Sequence, residues 1–189
     1  MAALAERGQA DVMGVAARRR LHRLVRDFPG LHLSEVARQA GLETNHAKYH
    51  LDQLARHGLV SALGEAGRVR FYPRRPGPLG AQEALSAADK RVLAILRQPV
   101  PLQAVVLLAD RGTMTHAELE AEVPVRRSTL HYHMAKLVRA GIVQRGEKGR
   151  ERTYDLADPD RTMDLLMQYR PPDALVKGFL QAWEALRLP

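Results

Sequence analysis

The chain repeats itself. Displaced by 83 residues, the stretch 27–60 aligns without a gap on 110–143. The coincidences are Asp27/Asp110, Glu35/Glu118, Tyr49/Tyr132, His50/His133, Leu54/Leu137, Arg56/Arg139, Gly58/Gly141 and Val60/Val143. A one-residue gap then carries 64–72 onto 146–154. Self-similarity at a fixed period means one supersecondary unit built more than once, here a unit of about 60 residues built twice. Between the copies, residues 73–80 hold three prolines and two glycines. Proline has no N–H to donate and glycine no side chain to pack, so this stretch is expected to be a linker rather than helix or central strand.

Each copy reads as three helices and a hairpin. In the first, helices are expected over 12–27, 34–40 and 44–57, with stops at Pro29-Gly30, Gly41 and Gly58. Ala47, Leu51 and Leu54 recur at i, i+4, i+7, which is one face of a helix. Leu59 and Val60 begin a strand, 64–67 is a turn, and 68–72 returns as the second strand. In the second copy, helices are expected over 87–96, ending before Pro99 and Pro101, and over 103–110, closed by Gly112. Thr115 with Glu118 is a capping box opening the next helix. Pro124 separates that helix from a longer one over 127–140, whose Leu130, Met134 and Leu137 repeat the stripe. Strands follow over 142–145 and 150–156.

Composition narrows the chemistry. With no cysteine, disulfides, thiolate metal sites, iron–sulfur clusters and cysteine nucleophiles drop out together. The longest apolar run, 104–109, is far too short for a membrane span, and Glu6 and Asp11 precede any apolar stretch, unlike a signal peptide. A soluble, cytoplasmic chain is expected. The formal charge is +8. It is graded along the chain, with net +6 over 1–75, +3 over 76–157 and −1 over 158–189. A cationic body with a neutral tail suits a polyanionic partner.

The order of a short helix, a tight turn, a longer helix and a hairpin resembles the winged helix-turn-helix. Residues 45–60 (NHAKYHLDQLARHGLV) and 128–143 (STLHYHMAKLVRAGIV) are similar to the recognition helix and first wing strand of ArsR/MarR-type regulators, the tandem versions common in archaea in particular. The resemblance spans roughly 12–73 and 86–157. It implies a mainly α fold with small β-hairpins (α+β). The implied domains are a first winged helix over 1–73, a linker over 74–85, a second winged helix over 86–157 and a helical tail over 158–189. It also implies double-stranded DNA as partner, with the longer helix of each module entering the major groove.

The helical wheel then nominates the contact residues. The first module offers Thr44, Asn45, His46, Lys48 and Tyr49; the second offers Arg126, Arg127, Ser128, Thr129, His131 and Tyr132. Asn can bond adenine bidentately and Arg guanine, whereas Lys48, Tyr49 and Tyr132 suit phosphates. Glu43 and Asp52 offset Lys48. On the hairpins, Arg68 and Arg70 alternate, as do Lys148, Arg150 and Arg152, so each set is expected on one side of its strand. Edge-strand protection is the competing explanation for those charges.

Other chemistry finds little support. His46 and His50 lie at i, i+4, a spacing that permits a shared metal, but no third ligand completes a set. His50 and His133 are expected to bond backbone at the helix–wing junction. His116-Ala117-Glu118 echoes the H-x-E of zinc deaminases without the cysteines that motif requires. Neither phosphate-binding glycine loops nor a nucleophile elbow occur, so no cofactor, no metal and no enzymatic activity are expected. The tail offers a helix over 160–169 and another over 173–186, whose Leu175, Phe179, Trp183 and Leu186 form a stripe. That stripe serves either a homodimer or packing on its own module. The expected function is a DNA-binding transcription regulator. An architectural protein coating DNA in the nucleoid and a protein-interaction adaptor are the alternatives. No effector ligand is legible.

Overall fold

Each copy of the repeat closes around its own core. The computed structural model describes residues 14–65, 67–75 and 82–185, and the chain divides into two units, 1–90 and 91–189.

In the first unit, α1 (Ala16–Asp27), α2 (Leu33–Ala40) and α3 (Thr44–Arg56) precede β1 (Val60–Glu65), β2 (Arg68–Arg75) and the short β3 (Gln82–Glu83). Leu21 and Val25 of α1, Val36 and Ala40 of α2, and Ala47, Leu51 and Leu54 of α3 are buried together with Val60 and Phe71. Burying each leucine removes apolar area worth roughly 1.5–3 kcal/mol from water, so the stripe of α3 sets the rotation of that helix. Gly41 ends α2 at φ 62°, with its N–H on the carbonyls of Ala37 and Arg38. The left-handed region suits glycine there, and the turn it makes aims α3 away from α2.

The hairpin is longer than expected. Residues 73–75, read as linker, continue β2, which is the central strand of the order β1-β2-β3. Pro73 sits opposite Val60 and enters the sheet through its carbonyl, which accepts from the Ala84 N–H at 3.4 Å. Arg74 pairs with Glu83 and Arg75 with Gln82. Lys90, almost wholly buried, donates to Glu83 and caps the ring of Tyr72, whose hydroxyl donates to the Lys90 carbonyl. Burial opposes ionisation of Glu83. Hydrogen bonds from Lys90 and Ser61 outweigh it and hold that carboxyl below its ordinary value. The rest of the predicted linker, 76–81, lies outside the described residues, as do 12 and 13 of the first predicted helix and Leu186 of the last.

The second unit contains most of α4 (Ala87–Leu96), then α5 (Pro99–Arg111), β4 (Met114–Thr115), α6 (His116–Glu122), α7 (Arg127–Arg139), β5 (Val143–Lys148) and β6 (Glu151–Leu156). The tail contributes α8 (Pro159–Gln168), α9 (Asp173–Val176), a 3-10 turn (Lys177–Phe179) and α10 (Leu180–Ala185). The prolines that were read as a break before 103 instead open α5, where a missing N–H costs nothing. The sheet order is β4-β6-β5, antiparallel throughout. Composition hid β4, because two residues carry no period. The capping box forms as expected: Glu118 accepts from the Thr115 N–H at 2.6 Å, and Thr115 Oγ1 accepts from the Glu118 N–H at 3.2 Å.

The tail belongs to this core. Leu166, Val176 and Trp183 are buried with α5 and α7 residues, and Leu175 and Phe179 pack against them. The final helix is broken into three short pieces rather than running over 173–186. Of its apolar stripe, Leu175, Phe179 and Trp183 pack within their own unit, with Trp183 only 2% exposed. Arg97, fully buried, donates to the Tyr169 carbonyl at 2.8 Å and pins the end of α8. No single helix among the described residues is long and apolar enough to cross a membrane. The pair α4 and α5 passes by composition but is bent by 101°, and most of α5 is buried in the core.

Truncating a buried aromatic leaves a cavity that the surroundings refill only in part. Trp183→Ala is expected to destabilise the second unit by about 3–5 kcal/mol. Urea denaturation followed by far-UV circular dichroism reads this; a loss below about 1 kcal/mol would show that the tail is dispensable to the core.

Candidate nucleic-acid interface

Because Ala47, Leu51 and Leu54 point inward, the opposite face of α3 must face water. Thr44, Asn45, His46, Lys48 and Tyr49 are all exposed. In the second unit Arg126, Arg127, Ser128, His131 and Tyr132 are exposed and Thr129 is half-buried. The duplicated tyrosines show how closely the two faces correspond: Tyr49 is 54% and Tyr132 61% exposed, unusual for rings of that size.

In both units the N-terminus of this helix, the N-terminus of the helix before it and the second wing strand surround one groove. In the second unit the groove encloses about 970 Å³. Arg126, Arg127, His131, His116, Arg152 and Glu120 contribute to its walls. In the first unit the corresponding groove encloses about 340 Å³ between His32, Leu33, Ser34, Thr44, Arg68 and Val69. The wings are antiparallel hairpins, with Glu65 opposite Arg68 in the first and Lys148 opposite Glu151 in the second.

One nominated residue lies elsewhere. Arg70 was expected to alternate with Arg68 toward a ligand, but it is buried and its guanidinium donates to the Gly30 carbonyl. The cause is a strand-like passage at 30–32: Gly30 and Leu31 exchange hydrogen bonds with Phe71, and His32 bridges Arg70. This passage covers β2 at Arg70 and leaves Arg68, nearer the tip, in water. On the second wing, Lys148, Arg150 and Arg152 are all exposed.

The charges around the two helices differ. Lys48 pairs with Asp52 one turn on at 2.8 Å, and Glu43 stands exposed just before α3. In the second unit Arg127 is loosely paired with Glu120 at 3.8 Å and its side chain remains 78% exposed. Exposed pairs of this kind are worth at most about 1 kcal/mol, so the guanidinium stays available to an anion. His116 was noticed in the sequence only for a motif it could not complete. Here its ring packs against those of His131 (6.1 Å) and Tyr154 (5.9 Å) in the groove wall. The signal that could have found it is its place directly after the Thr115 cap, which puts it beside the next helix's N-terminus.

His50 does not reach backbone as expected. Its Nε2 meets His46 Nε2 at 3.0 Å one turn away, which requires one ring to donate and the other to accept. Among the described residues no group of three ligating side chains comes together. Burial lowers the pKa of His50, with neighbouring His46 and Arg18 adding to the effect. Burial also lowers His116, which faces Glu120, Arg127, His131 and Arg152, and His133, which faces Lys136. His22 and His32 are lowered for the same first reason. An imidazole held below its ordinary value is neutral in the fold yet protonates in the unfolded chain near pH 6.5. The unfolded chain then binds more protons, so stability is full above that pH and falls as pH drops below it. The melting temperature is expected to decline between about pH 7.5 and pH 5.5. Thermal melts across that range check it; a flat or rising profile would contradict it.

Comparison with known proteins finds a helix-turn-helix domain in each copy of the repeat. The family described as an N-terminal HTH domain matches residues 15–83, and a helix-turn-helix domain family matches residues 90–145. No curated protein matches the chain. Among solved structures, HlyU from Vibrio cholerae is 23% identical over 44% of this chain and 87% of its own, with a TM-score of 0.40. The transcriptional repressor BigR from Xylella fastidiosa is 25% identical over 47% of this chain and 83% of its own, at 0.37. A homodimeric winged helix-turn-helix DNA-binding domain from Mycobacterium bovis, described as a possible ArsR-family regulator, is 22% identical over 55% and 93%, at 0.38. Two helix-turn-helix domains in succession, each carrying a hairpin wing, make this chain a tandem winged helix-turn-helix protein.

Proposed function

We propose that the chain regulates transcription by placing α3 and α7 in the major groove of double-stranded DNA, with the wings on the flanking phosphates or minor groove. The observation that carries this reading is the duplicated groove, in which an outward recognition face and an exposed basic wing strand stand on either side of one cleft. Asn45 carries the paired donor and acceptor that an adenine edge takes, and Arg126 and Arg127 carry guanidinium forks that fit guanine or phosphate oxygens. Ser128, Tyr49, Tyr132, Arg68, Lys148 and Arg150 have the exposure and the groups that hold a sugar-phosphate strand. A major groove about 12 Å wide admits a single helix, and the inward apolar stripe leaves each helix one face to offer it.

Neutralising phosphates releases counterions, so log affinity falls with log salt by about 0.9 for each contact. Binding to a labelled duplex is expected to weaken steeply between about 50 and 200 mM salt. Affinity that ignores salt would refute the proposal. Footprinting on genomic fragments separates a regulator, which protects discrete operators, from a coating protein, which protects every duplex alike. Sedimentation with and without duplex reads whether the chain binds as a monomer or as a homodimer.

A further inference from the structure

The two modules share a scaffold and differ in what they present. Aligned by the repeat, Glu43 stands where the second module has Arg126, Thr44 where it has Arg127, and Asp52 where it has Ala135. On the wings Arg70 corresponds to Arg152, yet Arg70 is buried against Gly30 and Arg152 is exposed in the groove wall. Over 43–52 and 64–70 of the first module, Lys48, Arg68 and Arg70 are cancelled by Glu43, Asp52 and Glu65, for a net charge of zero. Over the matching 126–135 and 146–152 of the second, Arg126, Arg127, Lys148, Arg150 and Arg152 outnumber Glu147 and Glu151 for a net of +3, which Glu120 in the groove wall lowers to +2. Volume points the same way, about 970 Å³ against about 340 Å³. Two independent observations, one of charge and one of shape, therefore single out the same module.

We infer that the second module carries most of the grip on the DNA backbone and the first module little of it. This rests on the DNA-binding reading above and adds a division of labour to it. Arg126 and Arg127 at the start of α7 meet one strand from the helix side, and Arg152 meets it from the wing. An Arg guanidinium offers paired donors that match phosphate oxygens, and three of them converge on one groove. The first module reaches the duplex with its charges already balanced by its own carboxylates, so it adds shape and Asn45 but releases few counterions.

The test uses the full chain and a labelled duplex long enough for both modules, with affinity measured across a salt series. Arg126→Gln, Arg127→Gln and Arg152→Gln together are expected to weaken binding by roughly tenfold or more and to flatten the log–log slope by about 2.7. Arg152→Gln alone should flatten it by about 0.9. Lys48→Gln with Arg68→Gln should cost clearly less, weakening binding by about threefold and flattening the slope by about 0.9, one contact's worth. All of these side chains are exposed, and thermal melts confirm that each variant folds. If the first-module pair costs as much as the second-module triple, the division of labour is overturned while DNA binding stands. If the unmodified chain does not bind duplex at all, the functional reading itself fails.

Discussion

One apolar stripe, used twice, decides the rest of the molecule. Ala47, Leu51 and Leu54 in α3, and Leu130, Met134 and Leu137 in α7, are each fully buried. Rotating either helix by a third of a turn would expose leucines worth roughly 1.5–3 kcal/mol apiece. Against a total stability of about 5–15 kcal/mol for an ordinary domain, no such rotation is tolerated. The outward face is thus a consequence of the inward one. Whatever residues occupy 44, 45, 48 and 49, or 127, 128, 131 and 132, they are presented to solvent at the mouth of a groove.

The groove needs a second wall, and the hairpin supplies it. In both units the strand returning from the wing tip is central in its sheet, flanked by the outgoing strand on one side and by a short strand or bridge on the other. That pairing carries the wing back toward the helix N-termini, which is why Arg152 and Arg127 border one cleft although they are 25 positions apart in sequence. The tail has a different role. Its buried Trp183 and the bond from Arg97 to the Tyr169 carbonyl complete the core of the second unit at a distance from the groove residues in sequence.

Much of this could be read directly from the residues. The repeat, the three helices of each module, the stripe on the longer helix, the Thr115–Glu118 box and the outward Asn45, Lys48, Arg127 and His131 all follow from local rules: helical period, capping chemistry and glycine stops. What escaped was non-local. Arg70 and Arg68 alternate identically on a strand, and only the passage of 30–32 across β2 separates a buried structural arginine from an exposed one. Pro73 reads as a strand breaker, yet its carbonyl is all that the Ala84 N–H requires. His116 is one of eight histidines, and nothing in its neighbours along the chain says that Tyr154 and His131 will stand beside it. Pro99 and Pro101 read locally as a stop, yet their position at the start of an apolar run makes them a beginning.

Comparing the copies separates what the scaffold demands from what it leaves free. The coincident positions include Leu54/Leu137, Gly58/Gly141 and Val60/Val143, which pack the core or end the helix. Among the positions that differ in charge, Glu43/Arg126, Lys48/His131 and Asp52/Ala135 lie on the face that the core does not touch. A change there alters no buried contact, so its cost in stability is small, while its effect on a polyanion is large, because each added cation acts on a lattice of fixed phosphate charge. The same backbone can therefore carry a neutral reading head in one module and a cationic one in the other. The residue just before the recognition helix, Glu43 in one module and Arg126 in the other, carries that difference as a reversal of sign.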